Sequence, residues 1–328
     1  MEERNIKALE ELTKQSDEKY IDLLKNNQLT KILRAIGLFP DQTITNDVLI
    51  ITQKPEATCV KRMRDWNYYK RSVNKNEKAI KVISHYIEKY DQDFTDEQGN
   101  IYTKGVEKLK TDLGYLFDIS QTNGKEYDYL NSNRENLAKH FDVVKSALER
   151  TARDYEFVYT SIDEPSKIDK ENKKVYIQGN SELYRVLDEL ITNVTTILLD
   201  TRRPEGLTDD KLSNIADIEL NAAIYAITEK LGNREGKEYD FSEISKLDEK
   251  DMYDFKGTLQ RVRSVVKQEL SNVEIAIEKA VRNLSKVEEK VEEKEQEVEK
   301  VEEVKQEAEV APKPKRTRKT KQAESEVE

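Results

Sequence analysis

The sequence predicts an α+β protein: an N-terminal part of mixed helix and antiparallel sheet, then a mainly helical part, then a charged tail. Three observations predict this. Apolar residues recur at helical spacing through residues 3–36, 181–199, 217–231 and 250–284. Residues 71–90 alternate instead, with turn chemistry at Asn74-Lys75-Asn76. Only ten glycines and six prolines occur in 328 residues, so long helices are rarely interrupted. The single cysteine, Cys59, excludes an intramolecular disulfide and fits a reducing cytosol. The first residues lead into an amphipathic pattern without a signal peptide or membrane span, so a cytoplasmic location and no membrane partner are expected.

Taken in order, residues 3–36 read as two helices. Ile6, Leu9, Leu12, Tyr20, Leu23 and Leu24 form the first stripe, and Leu29, Ile32, Leu33 and Ile36 the second. Gly37 with Pro40 is the expected stop. Val48–Ile51 fits either a strand or a buried helix. Residues 71–90 read as strands, 91–105 as a loop around Gly99-Asn100, and Leu113–Ser120 as a buried strand closed by Gln121-Thr122-Asn123-Gly124. A helix is expected over 133–152, with Leu137, Phe141, Val144 and Leu148 on one face. Short strands follow at Tyr155–Tyr159 and Lys174–Ile177, separated by a polar loop containing Pro165. Ser181 is the expected N-cap of a helix reaching Leu199. Another helix spans Asp217–Leu231 and ends at Gly232. The last long helix covers 250–284.

Residues 285–328 differ in kind. Lys286–Glu309 is a Glu/Lys repeat in which Leu284, Val291 and Val298 lie seven apart, a thin heptad. Valine is a poor helix former, so a solvated helix is expected there rather than a coiled coil. Ala311–Lys321 is a basic patch expected to be disordered and followed by an acidic tip. The expected organisation is therefore 1–127, 128–284 and a low-complexity tail, 285–328.

The stretch from Asp47 to Ile83 carries the main candidate for function. Between Val60 and Lys89 nine cations (Lys61, Arg62, Arg64, Lys70, Arg71, Lys75, Lys78, Lys81, Lys89) face three acids (Asp65, Glu77, Glu88), a local charge of +6. Trp66, Tyr68, Tyr69 and Tyr86 are interleaved with them. Cations for phosphates beside rings for bases are the ingredients of a single-strand nucleic-acid site. A half-buried sheet with Trp66 in its core fits the same residues. With a formal net charge of -10 overall, any such site has to be a local patch.

Signals for catalysis are sparse. His85 and His140 are the only histidines and do not share a helical face. Cys59 has no histidine near it in sequence, and no phosphate-binding glycine loop is present. Asp188-Glu189 is the one acidic pair singled out, and two solvated carboxylates are its ordinary explanation.

The residues Asn46, Leu49-Ile50, Gln53, Pro55, Ala57-Thr58, Trp66, Arg71, Val73, Lys75, Glu77-Lys78 and Ile80 resemble the N-terminal domain of ArdC-type antirestriction proteins, including the LtrC-like proteins of conjugative elements. Leu116–Thr122 resembles the strand closing that domain. Lys70 and Asn76 stand where the family commonly has glycine. The resemblance implies a single-stranded DNA-binding domain on a phage or conjugative element, with Lys61, Arg62, Arg64, Trp66, Tyr68, Lys70, Arg71, Lys75 and Lys78 as contacts.

Further on, the family carries a zincin-like His-Glu-x-x-His peptidase helix. Here Asp188-Glu189-Leu190-Ile191-Thr192 occupies that place, so Asp188 and Thr192 replace the two histidines and Glu189 is the remnant general base. Ala223 stands where the family's glutamate ligand falls. Tyr239–Ile244 resembles the loop that follows. Catalytic zinc needs three strong protein ligands, which this set does not supply. The resemblance thus implies a degenerate, metal-free pseudo-peptidase domain with no catalytic residue and no cofactor.

The leading expectation is a non-catalytic single-stranded DNA binder. The alternative is a protein-interaction module for a host restriction or replication protein, which the acidic balance favours. A hydrolase with oxygen ligands from Asp188, Glu189 and Glu219 is a third reading.

Overall fold

The computed structural model describes residues 2–127, 134–161, 166–179, 181–202, 209–233 and 238–310. Three helices open the chain. α1 (Glu2–Lys25) buries Leu12, Tyr20, Leu23 and Leu24, and the Tyr20 hydroxyl donates to the Met252 carbonyl oxygen at 3.0 Å. The chain turns at Asn27, whose φ of 54° lies in the left-handed region that asparagine tolerates. It then enters α2 (Leu29–Leu38). Gly37, expected to stop α2, lies inside it. A Cβ there would meet the Ala226 carbonyl oxygen at 2.2 Å, so this glycine permits close helix packing rather than termination.

α3 (Ile44–Gln53) begins at Thr43, whose side chain accepts the Asn46 backbone N–H. That cap resolves the Val48–Ile51 run as helix, with Val48, Leu49 and Ile50 buried.

β1 (Val60–Lys61), α4 (Met63–Tyr68), β2 (Arg71–Val73), β3 (Ile80–Thr95), β4 (Ile101–Asp118) and β5 (Thr122–Gly124) follow. The strands expected on either side of Asn74-Lys75-Asn76 do not pair with each other. β2 pairs antiparallel with β5, while β3 pairs antiparallel with β4 from Ile80↔Leu116 out to Thr95↔Ile101. β1 joins the other side of β4, giving the sheet order β1-β4-β3. Residues 91–105, expected to be a loop, mostly extend this hairpin. The turn is confined to its tip, where the Asp96 carboxylate accepts the Gln98 and Asn100 N–H groups and Gly99 has φ 84°. The outer hairpin is wet on both faces, so it lacks the apolar alternation by which a strand is read.

α3 also covers the open edge of β3. Asn46 donates to the Ile83 carbonyl at 2.8 Å and accepts the Ile83 N–H at 2.9 Å. Gln53 does the same for Lys81, at 2.8 and 2.9 Å. Seven residues are close to two helical turns, so both amides face the strand and pair groups that an edge would otherwise present. Asp118 ties the end of β4: its carboxylate accepts the N–H groups of Thr58, Cys59 and Ser120, and its own N–H donates to Gln121 Oε1. Gln121 in turn donates to Glu77 and to the Lys78 carbonyl. Many of the residues that carry the family resemblance are thus engaged in holding the scaffold.

α5 (Arg134–Lys139) and α6 (Phe141–Thr151) replace the single helix expected over 133–152, with His140 at the break. β6 (Glu156–Thr160), β7 (Lys167–Asp169) and β8 (Lys174–Gln178) form a separate, mixed sheet of order β6-β8-β7, in which β6 and β8 are parallel. β7 was not anticipated from the sequence. α7 (Leu183–Asp200) starts after Glu182 without a side-chain cap, so Ser181 is not the N-cap. α8 (Asp209–Leu231) begins before the expected Asp217 and ends at Gly232, whose φ is 73°. α9 (Glu249–Val310) buries Leu259, Val262, Val266 and Leu270 and continues through the Glu/Lys repeat. The basic patch 311–321, the acidic tip, Pro165 and Asn180 lie outside the described residues.

Residues up to Ile277 pack as one compact unit, and a second unit begins at Glu278. Inside the first unit, contacts cross the expected 127/128 boundary. Arg263 of α9 donates to the Phe39 carbonyl oxygen at 3.1 Å and pairs with the fully buried Asp47 carboxylate of α3. No described helix is long and apolar enough to cross a membrane.

Candidate nucleic-acid interface

α4 is a single short helix after Arg62, with Asp65 in its first turn and ion-paired to Arg62 at 2.9 Å and Arg64 at 3.5 Å. Partial burial works to raise the Asp65 carboxyl, but the Arg62 hydrogen bond and the two guanidinium charges outweigh it and hold the group below the ordinary carboxylate range. Trp66 points inward. It is 0% exposed, and its indole N–H donates to the Phe117 carbonyl oxygen at 2.8 Å. Tyr127 packs edge-on against it, with ring centroids 5.6 Å apart. A buried ring has no face to offer a base, so Trp66 is corrected from contact residue to core anchor.

The remaining sequence-predicted contacts divide. Arg71 is partly buried and engaged locally: its guanidinium donates to the Thr122 and Lys125 carbonyls and to Thr122 Oγ1, which pins β2 to β5. Lys70 and Asn76 have φ of 56° and 68°. The left-handed turns expected of glycine are therefore kept despite the larger side chains. Lys75 is exposed on the turn after β2. Lys78 lines a cleft of about 1000 Å³ beside α1, together with Lys54, Lys81, Glu11 and Glu77. The nine residues do not converge on one surface.

Lys61, Arg62 and Tyr68 do come together. They line a groove of about 480 Å³ between α4 and the base of the β3–β4 hairpin, with Tyr69, Tyr115, Ser84 and Gly114 on its walls. Tyr68 is 82% exposed and meets Tyr69 edge-on at 5.2 Å. The Lys61 ammonium lies 5.0 Å from the Tyr69 ring, 5.4 Å from Tyr127 and 6.0 Å from Trp66, a position ring quadrupoles favour. Asp41 and Asp65 also line the groove, but Asp41 pairs with Lys267 at 2.8 Å and Asp65 with Arg62 and Arg64. Arg64 is exposed and is not among the residues lining the groove. Tyr115 also borders the groove, but its register opposite Lys81 turns its side chain to the sheet face opposite Ser84 and Gly114.

The positions compared with a peptidase site are each occupied by local contacts. Asn233 donates to the Asp188 carboxylate at 2.6 Å. Glu189 accepts the Gln178 N–H at 3.0 Å and pairs with Arg185 at 3.6 Å. Thr192 donates its hydroxyl to the Asp188 carbonyl one turn back. Ala223 is fully buried on α8, and Glu219 accepts from Arg261 at 2.7 Å. Among the described residues no group of three or more His, Cys, Asp or Glu is placed to hold a metal ion. His85 is on β3, its Nδ1 2.9 Å from Thr111 Oγ1, and His140 is buried at the α5–α6 break. Burial pushes the Cys59 thiol up to about 11, away from thiolate chemistry.

No protein-family model matches the chain, and no curated protein matches it. Among solved structures it is similar to the antirestriction ArdC protein from plasmid R388. The metal-free crystal structure aligns at 14% identity with a TM-score of 0.35, over 70% of this chain and 84% of that one. The Mn(II)-bound structure aligns at 11% identity with a TM-score of 0.40, over 80% of this chain and 97% of that one. A likeness of this degree fixes neither residue equivalence nor activity.

Proposed function

We propose that the chain is a non-catalytic single-stranded DNA-binding protein of a phage or conjugative element, with an ArdC-like role in protecting DNA from restriction. The observation that supports it most is the groove between α4 and the hairpin base, where Tyr68 and Tyr69 stand beside Lys61 and Arg62. The outer face of the exposed Tyr68 ring can stack on an unpaired base, and the adjacent cations meet phosphates. A duplex keeps its bases stacked and so gains nothing from the rings. On this reading Asp188, Glu189, Thr192 and Ala223 belong to a scaffold without chemistry. Their polar groups serve helix and strand contacts instead.

Replacement of Tyr68 tests this with little effect on folding, because the ring is mostly in solvent. Tyr68→Ala is expected to weaken binding of oligothymidylate by about 1–3 kcal/mol while the denaturant midpoint stays put. Unchanged affinity in the variant would remove the groove from the interface.

A second reading has its own support. Asp217, Glu243, Asp251 and Asp254 surround Ile218, Ile244, Leu247 and Phe255 in a cleft of about 780 Å³. An apolar floor with an acidic rim suits a basic amphipathic segment of a host protein. Nuclease-treated pull-downs that retain such a protein would favour it.

A further inference from the structure

The β3–β4 hairpin beyond Ser84 is longer than the core beneath it requires. From Ser84 to Thr95 it extends by eleven strand steps, about 37 Å, and its outer residues are mostly exposed. Its two faces differ in chemistry. One carries Tyr86, Tyr90 and Phe94 on β3, with Tyr102, Lys104, Lys108 and Lys110 on β4. The contacts agree with the alternation: Phe94 and Tyr102 stack at 5.8 Å across the tip, and Glu88 pairs with Lys110 at 3.2 Å. From Tyr86 outward this face holds three cations and one acid, a charge of +2 (three minus one). The opposite face carries Ile87, Leu109 and Ile101 with Lys89 against Asp91, Asp93 and Glu107, a charge of -2 (one minus three). Tyr86 is 46% exposed and Tyr90 42%, and Lys104 and Lys108 are exposed between the rings.

The ring-bearing face is continuous with the groove. Val82, Ser84, Gly114 and Leu116 line the groove, and Tyr86 with Lys110 is the cross-strand pair of the same face just beyond Ser84 and Asp112. We infer that this face of the hairpin is a second binding segment, along which the single strand held in the groove continues, its bases against Tyr86 and Tyr90 and its phosphates against Lys104 and Lys108. The inference rests on the groove reading. It makes the arm the determinant of how long a strand the protein covers. The cationic face complements a polyanion; the acidic, aliphatic face opposite does not.

Binding of oligothymidylates of about 6 and about 16 nucleotides tests the arm separately from the groove. The proteins are the full chain, the double variant Tyr86→Ala/Tyr90→Ala, the opposite-face control Leu109→Ala, and a chain in which residues 88–108 are replaced by a two-residue Asn-Gly turn. Emission from the buried Trp66 verifies folding in each. The inference predicts that the double variant and the shortened chain lose about 30-fold on the longer strand, keep their affinity for the shorter one, and that Leu109→Ala matches the full chain. If the full chain binds both strands and the arm variants bind them equally well, the arm is not a binding segment and the groove stands. If Leu109→Ala loses as much as the double variant, the assigned face is wrong. If the full chain binds neither strand, the groove reading fails and takes the arm with it.

Discussion

Trp66→Ala is expected to destabilise the protein by about 3–5 kcal/mol, the usual range for deleting a large buried ring. The ring is fully buried, and its N–H satisfies the Phe117 carbonyl at the point where β1 meets β4. Truncation opens a cavity, leaves that carbonyl without its indole donor, and takes away the surface on which Tyr127 and the Lys61 ammonium rest. Chemical denaturation of the variant reads the loss as a lower midpoint. The effect on DNA is indirect: binding falls as the folded population falls, and recovers under conditions that refold the variant. A variant of full stability that no longer binds a single strand would put the ring at the interface and overturn the buried assignment.

The second large effect concerns Glu269 on α9. Its carboxyl is fully buried and hydrogen-bonded to the Thr195 hydroxyl at 2.9 Å, with Arg202 as the neighbouring charge. Burial raises it from 4.5 to about 8, against the opposing pull of Thr195 and Arg202. The folded chain therefore keeps a proton that the unfolded chain has released. The contribution of this one group to stability falls as pH rises from 4.5 towards 8 and is constant on either side of that window. At pH 7 the cost is about 3 kcal/mol. Glu269→Gln keeps an acceptor for Thr195 and carries no charge. Its stability is expected to exceed that of the parent by that amount at neutral pH and to match it near pH 4. Denaturant midpoints across the window check both ends, and parallel curves for the two proteins would contradict a buried, protonated Glu269.

Several elements were legible before the structure because their signal is local. The stripes of α1, α2 and α7 and the Gly232 stop of α8 depend on spacing within one segment. The outer hairpin was not legible, since its residues face water on both sides and its order comes from cross-strand pairs such as Lys89 with Glu107. Gly37 read as a stop because nothing local announces the approach of Ala226. The interface was half legible. A basic, aromatic stretch was visible, but which rings face out depends on how α4 is turned. Trp66 and Tyr68 are two residues apart, about 200° around a helix, so burying one exposes the other. Arg71 looks like a contact residue in sequence, yet, like Asn46, Gln53 and Asp118, it is tied to backbone groups of another element.

Titration of the full chain against single-stranded and duplex DNA of one sequence, at two salt concentrations, tests the central claim most directly. The groove account predicts tighter binding to the single strand, with an affinity that falls as salt rises by about 0.7 in the log–log slope for each phosphate contacted. Equal affinity for the two forms, or a preference for duplex, would contradict it.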